Sequence, residues 1–148
     1  MPTALTIDTL KPADRAEWGA LAHGYKRFYK TEIPESDYDQ AFARLLAGDA
    51  VHAWVARHEG RVVGIVHYLF HASTWAPQAC YLQDLYVDET LRGQGIAAAL
   101  IERVAQVARE RGASRLYWLT QADNARARAL YDRVAQYKGF IRYDYAMP

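Results

Sequence analysis

The sequence predicts a mixed α/β domain, on three observations. Strand-like and helix-like runs follow in the order β-α-α-β-β-β-α-β-α-β, and His58-Glu59-Gly60 reads as a hairpin turn that puts antiparallel neighbours into the sheet. A strand–helix–strand stretch then follows, so the sheet is neither wholly parallel nor simply a meander. At 148 residues the chain has the length of one domain, and 51% hydrophobic and 13% aromatic residues are ample for a core. No repeat, low-complexity segment or linker interrupts it, so residues 1–148 are read as a single domain.

Leu5–Asp8 reads as a short strand, and Pro12-Ala13-Asp14 opens a helix running to about Lys30. Glu32 to Asp39 is acidic, contains Pro34 and reads as a loop. Tyr38, Phe42, Leu45 and Leu46 then recur at helical spacing, with Gly48 as the stop. Val51–Arg57 and Arg61–Phe70 are β-rich runs on either side of the hairpin turn. Ala79–Val87 is a further strand after the breaker Ala76-Pro77. From Gly95 to Arg111 the apolar stripe Ile96, Leu100, Val104 and Val107 marks a long amphipathic helix, with Gly112 where a glycine cap belongs. Arg115–Thr120 reads as a strand, Asn124–Ala135 as a helix and Gly139–Tyr145 as a final strand.

Composition narrows the function. Lys and Arg number 18 against 17 Asp and Glu, a formal net charge of +1 that gives no global field for nucleic acid or anionic lipid. No apolar run approaches the roughly 20 residues of a membrane helix. Met1 to Asp8 lacks a basic region followed by an apolar core, so no leader is read. Cys80 stands alone, which excludes an internal disulfide or a multi-cysteine metal site. A soluble, cytoplasmic protein without metal, nucleic-acid or membrane partners is expected.

The stretch with the clearest chemistry runs from strand to helix through Leu85-Tyr86-Val87, then Arg92-Gly93-Gln94-Gly95-Ile96-Ala97. Gly93 and Gly95 permit positive φ and leave room for backbone N–H groups to converge on a ligand. The helix start adds unpaired donors and the positive dipole end, and Arg92 adds a full charge. A pyrophosphate suits such a turn; a plain strand–helix connection is the other reading. Gly93-x-Gly95-x-x-Ala98 also matches a dinucleotide fingerprint, but only two predicted strands follow it, too few for that fold.

Arg92-Gly93-Gln94-Gly95-Ile96-Ala97 resembles the Arg/Gln-x-x-Gly-x-Gly/Ala coenzyme A motif of the GNAT superfamily of N-acetyltransferases. Asn124, Ala129-Leu130-Tyr131 and Gly139-Phe140 continue the resemblance in order. Ser73-Thr74-Trp75 with Tyr81-Leu82-Gln83-Asp84-Leu85-Tyr86-Val87 is similar to the spermidine/spermine and thialysine branch, and to histone-acetyltransferase-like relatives. The resemblance implies a mostly antiparallel sheet flanked by helices, with a splayed central strand pair, and a homodimer. It implies that Leu85, Tyr86 and Val87 pair with pantetheine and that the backbone of Arg92, Gly93, Gln94, Gly95, Ile96 and Ala97 binds the pyrophosphate. It further implies that Asn124, with Ala127 beside it, meets the cofactor arm of acetyl-CoA, and that Tyr131 stands near the thioester sulfur.

Transfer to an amine requires the neutral nucleophile, donors for the developing oxyanion and a proton for the departing thiolate. A main-chain N–H on the strand, at Leu85, suits the first task of stabilisation and the Tyr131 hydroxyl the protonation. Tyr131 also shares a helical face with Ala127, Leu130 and Val134, which by itself predicts burial. In the polyamine branch the position of Gln83 is a glutamate that acts as base; glutamine cannot take that proton. Asp84 is adjacent, but alternation sends it to the opposite face unless a bulge re-aims it. A water relay to Asp84, His67 or His71, capture of an already neutral amine, and an orienting role for Gln83 all stay open. His67 and His71 lie roughly 13 Å apart along a strand, too far to share one ion.

Tyr25, Phe28 and Tyr29, with the acidic Glu32, Glu35, Asp37 and Asp39 beyond, suit either the mouth for a cationic amine or an amphipathic helix followed by a solvated loop. Tyr25, Tyr29 and Trp75 are the substrate-side candidates. Arg126, Arg128 and Arg133 are either a solvated face or partners for the adenosine phosphates. His23, His52 and His58 read as surface or core histidines, and Cys80 as a small buried residue rather than an acetyl carrier. The expectation is an acetyl-CoA-dependent N-acetyltransferase acting directly on a small primary amine: a diamine, polyamine or amino acid. A protein lysine or N-terminus as acceptor, and a non-catalytic acyl-CoA sensor, are the alternatives.

Overall fold

The computed structural model describes residues 5–148, and Met1–Ala4, on which half of the leader expectation falls, lie outside the described residues. The chain divides into two compact units, one ending at Trp118 and one spanning Leu119–Pro148. In the first, β1 (Leu5–Asp8), α1 (Arg15–Phe28), α2 (Glu35–Ala47), β2 (His52–His58), β3 (Arg61–His71), β4 (Ala79–Val87), α3 (Ile96–Glu110) and β5 (Leu116–Tyr117) follow in order. The sheet has the order β1-β2-β3-β4-β5; its first four strands are antiparallel neighbours, and β4 pairs with β5 in parallel.

Local chemistry sets the helix ends. A 3₁₀ turn, Pro12–Asp14, leads into α1, and the Asp14 carboxylate accepts from the Lys11 N–H at 2.7 Å. Trp18, Leu21 and Ala22 form the buried face of α1 and pack with Tyr38, Phe42 and Leu45 of α2 and with Val55 and Ile65 of the sheet. Leu46, expected on the α2 stripe, is instead 37% exposed, because the face is already filled by Tyr38, Phe42 and Leu45. On α3 the buried stripe is Ile96, Leu100, Ile101, Val104 and Ala108, while Val107 is only half-buried. Gly112 ends α3 in a Schellman arrangement, its N–H on Arg109 O at 3.1 Å and that of Ala113 on Ala108 O at 2.9 Å.

Packing identifies the two faces of the sheet. A Cβ on Gly64 of β3 would lie 3.1 Å from side chains of Ile96 and Leu100, so α3 covers the face that Gly64 belongs to. A Cβ on Gly24 of α1 would fall 2.8 Å from the Tyr86 ring, so α1 covers the other face. Between the faces, β3 and β4 change register. His67 pairs with Asp84 and Tyr68 with Leu82, which leaves Gln83 as an extra residue on β4. Strict alternation would put Asp84 with Leu82; the bulge moves Asp84 to the α1 face, with Tyr81 and Tyr86.

The β4–β5 ladder covers only Cys80↔Leu116 and Tyr81↔Tyr117. The expected strand over residues 115–120 is therefore shortened to two residues. Beyond Tyr81, β4 has no ladder on its β5 side among the described residues, which is the opening expected of a splayed pair.

Arg57 ties the sheet to the start of the chain. It reaches Asp14 through both terminal nitrogens (2.8 and 2.7 Å), Asp8 through Nε (3.0 Å) and the Thr9 carbonyl (3.1 Å). The Arg57 hydrogen bonds hold the buried Asp14 below the ordinary carboxylate value, and Lys11, the Thr9 N–H and Arg57 do the same for Asp8. A carboxylate depressed in the fold stabilises above its unfolded value of about 3.9 and loses that contribution as pH falls through the folded one. Arg57→Met is expected to cost about 3 kcal/mol at pH 7, because it leaves Asp14 buried without its partner. It is also expected to lessen the decline in stability below about pH 4. Thermal and urea melts followed from pH 7 to pH 2 measure both; an unchanged melt at pH 7 would show that the cluster is not a tie.

The second unit holds α4 (Ala125–Val134) and the residues after it. The expected strand at 139–145 is absent. A strand requires a laddered neighbour, and this segment has none among the described residues; Phe140, Ile141, Tyr143 and Tyr145 are all exposed, so no alternating face is buried either.

Candidate active site

The turn between β4 and α3 has the geometry of an anion cradle. Gly93 and Gly95 have φ of 83° and 80°, a region that other residues enter only at a cost, and a Cβ on either would meet open space. Conformation, not crowding, therefore requires glycine here. The first bond of α3 joins Ala99 N–H to Gly95 O at 3.0 Å, so the N–H groups of Ile96, Ala97 and Ala98 have no intrahelical acceptor, and no side chain caps them. Arg92 is held in place: its Nε donates to Val87 O at 3.3 Å, and its guanidinium lies 5.1 Å from the Tyr86 ring centre.

On the α1 face of β4 lies an acidic and aromatic cluster. His67 Nδ1 is 2.9 Å from Asp84 Oδ2, and the indole N–H of Trp18 donates to His67 Nε2 at 3.0 Å. The Tyr25 phenol faces Asp84, with Tyr29 at 4.9 Å and Tyr86 at 6.4 Å between ring centres. Burial pushes the Asp84 carboxyl up, but the His67 ring, through its hydrogen bond and its electrostatics, the Tyr25 phenol and the charge of Lys26 outweigh it and hold it below the ordinary value. Burial and the Asp84 charge push the Tyr25 phenol far above its usual value, so Tyr25 keeps its proton and acts as a donor. The site thus presents a carboxylate among tyrosine rings, a suitable surface for an ammonium group.

Other candidates fall elsewhere. Gln83, the bulged residue, is exposed, and Trp75 is 93% exposed on the loop before β4. Leu85 and Tyr86 are half-buried and Val87 is buried, all on the β4 stretch without a β5 ladder. His71 Nδ1 donates to Ala72 O at 2.9 Å, and its Nε2 shares a hydrogen bond with the Tyr117 hydroxyl at 2.7 Å. His23 stacks on Tyr38 at 4.0 Å, and His52 lies 5.3 Å from Tyr68. Cys80 is fully buried, which pushes its thiol up to about 11 and makes it inert as a nucleophile. Among the described residues no group of three or more His, Cys, Asp or Glu could hold a metal ion, and no helix is long and apolar enough to cross a membrane.

In the second unit Asn124 caps α4: its Oδ1 accepts from Ala127 N–H at 3.3 Å and its Nδ2 donates to Thr120 Oγ1 at 3.3 Å. Arg128 donates to Ala122 O at 2.7 Å and lies over Tyr137. The burial expected for Tyr131 from its helical face is not found. No residue of α4 is buried, Val134 is 45% exposed and Tyr131 is half-buried.

The Trp18–His67 bond left no mark in the sequence. Helical spacing marks Trp18 as core, and nothing local ties it to a histidine 49 positions away.

Residues 18–136 match the acetyltransferase (GNAT) family. The D-amino-acid N-acetyltransferase HPA3 of Saccharomyces cerevisiae is 35% identical over 136 residues, covering 88% of this chain and 84% of the relative. The thialysine N-epsilon-acetyltransferase of Caenorhabditis elegans is 28% identical over 128 residues, covering 86% and 80%. Among solved structures, the ribosomal-protein-alanine N-acetyltransferase from Brucella melitensis biovar Abortus 2308 superposes with a TM-score of 0.82 at 29% identity, covering 97% of this chain and 99% of that one. The aminoglycoside N-acetyltransferase AAC(6')-Iy in complex with CoA shares the fold, with a TM-score of 0.81 at 14% identity and coverage of 99% and 94%.

Proposed function

The chain belongs to the acetyltransferase (GNAT) family, and from that premise we propose that it moves the acetyl group of acetyl-CoA directly onto the primary amine of a small cationic molecule. The whole chain is read as one N-acetyltransferase domain. The observation that carries the choice of acceptor is Asp84: a bulge delivers its carboxylate to the α1 face, where tyrosine rings wall it. The relatives named for D-amino acids and thialysine support free amino acids as acceptors. The neighbour named for a ribosomal-protein alanine keeps a protein N-terminus as the second reading.

The donor set of the turn fits a diphosphate. Uncapped amides of Ile96, Ala97 and Ala98, the positive end of α3 and the tethered Arg92 all favour an anion, and Arg92–Ala98 contains no carboxylate. Leu85, Tyr86 and Val87 offer the main chain of an open strand edge to the pantetheine arm, and Asn124 and Ala127 lie at the start of α4 for the same ligand. Acetyl-CoA supplies the activated acyl thioester.

Asp84 attracts the acceptor's ammonium, whose pKa of about 10.4 keeps it charged at neutral pH. The ammonium loses its proton before attack through water held by Asp84 or Gln83, which relays it onward to solvent. The Leu85 N–H stabilises negative charge on the acetyl oxygen, and the Tyr131 hydroxyl returns a proton to the departing sulfur. Orienting the two reactants supplies much of the remaining acceleration.

Thiol release from acetyl-CoA with a panel of diamines, polyamines, basic amino acids and lysine-containing peptides tests the proposal. Small diamines and amino acids are expected to drive release and peptides are not. Preference for peptides would favour the second reading, and acetyl-CoA binding with no release on any amine would favour a sensor.

A further inference from the structure

We propose that His67 and Trp18 are positioning residues for the acceptor amine: the Trp18 indole N–H locks His67 in one tautomer, and that tautomer's Nδ1–H locks the Asp84 carboxylate. This rests on Asp84 as the amine's anchor. The chain of bonds allows only one proton arrangement. An indole N–H donates and never accepts, so His67 Nε2, 3.0 Å from it, carries no proton. The proton of the neutral ring is then on Nδ1, where it points at Asp84 Oδ2, 2.9 Å away. A doubly protonated ring would set two donors against each other at 3.0 Å, so the Trp18 contact favours the ring with its single proton on Nδ1, donated to Asp84.

Three elements contribute to the arrangement. Trp18 is fully buried on α1, its ring tilted against that of Phe42 of α2 at 5.2 Å between centres, so packing holds the indole in place. His67 lies on β3 with its ring 5.9 Å from the indole. Asp84 comes from the bulge of β4, where a carboxylate without a fixed partner would be free to rotate. The charged and titratable groups facing Asp84 are His67 from β3 and Tyr25 and Lys26 from α1. With Oδ2 committed to His67, the rest of the carboxylate is left for Tyr25 and the amine. His67 is thereby excluded as the base itself, since its lone pair is occupied by Trp18 and its proton by Asp84.

The test uses His67→Leu, His67→Asn and Trp18→Phe in the full chain, with both Michaelis constants measured and wild-type circular dichroism required of each. Leucine removes the donor to Asp84 and is expected to lower kcat/KM for the amine about 10- to 100-fold, the range of a hydrogen bond to a charged group, with KM for acetyl-CoA unchanged. Asparagine places an N–H close to the position of Nδ1 and is expected to recover most of the loss. In the wild type, the imidazole ¹⁵N signals of His67 are expected to show protonated Nδ1 and bare Nε2; Trp18→Phe, which keeps an aromatic ring but removes the donor, is expected to mix the tautomers.

A protonated Nε2 in the wild type overturns the proposal, as does asparagine being no better than leucine. Equal losses toward amine and acetyl-CoA would assign His67 a structural role and overturn it too. The ¹⁵N signature is read without turnover. A wild type that acetylates no amine would therefore defeat the proposed function, while the tautomer is still tested on its own.

Discussion

Asp84→Asn is expected to lower kcat/KM for a small cationic amine about 10²- to 10³-fold while leaving KM for acetyl-CoA within a factor of about two. The substitution is nearly isosteric, and the amide oxygen still accepts from His67 Nδ1, so the change removes charge and little else. A carboxylate about 4 Å from an ammonium is worth up to roughly 4 kcal/mol at an effective dielectric constant near 20, which bounds the effect from above. The glycine turn is untouched, and this separates the two Michaelis constants. Hydrazine, an amine that is mostly neutral at pH 8.5, gives the internal control: with no cation to seat, its penalty is expected to shrink several-fold. Steady-state kinetics on both amines measures this. A penalty equal for charged and neutral amines would mean that Asp84 does not act through its charge.

Tyr131→Phe is expected to lower kcat about 10²-fold, the smaller end of what general acid catalysis supplies, with both Michaelis constants little changed. The fold is expected to tolerate it, since Tyr131 is half-buried and α4 buries no residue. The loss is expected to diminish as pH rises above about 8.5, where a departing thiolate needs protonation less. A pH series of kcat for both proteins reads this out. Wild-type turnover in Tyr131→Phe would remove the hydroxyl from the reaction.

Much of this was legible in the chain itself, and the exceptions share a cause. Ala79–Val87 is found at its expected bounds, and α3 within a residue of them, because strand and helix periodicities are local properties. Gly93 and Gly95 adopt the positive φ that their turn requires. Gly139–Tyr145 carries strand-forming residues without forming a strand, since pairing depends on a distant partner that composition does not encode. The same limit hid the outcome at Gln83 and Asp84. A bulge belongs to the pairing of β3 with β4, and only that pairing shows that Asp84 turns toward α1. A helical stripe says only which residues face together, so the burial it suggests for Tyr131 did not follow from sequence alone; the side chain is half-buried.

The central claim is direct transfer from acetyl-CoA to a small primary amine. Incubating the wild-type chain with acetyl-CoA and a short diamine, then determining product and intact protein by mass spectrometry, tests it most directly. The expected result is one acetamide per thiol released and a protein mass that never changes, in keeping with the buried, high-pKa thiol of Cys80. Accumulation of acetylated protein, or thiol release without acetylated amine, would contradict it.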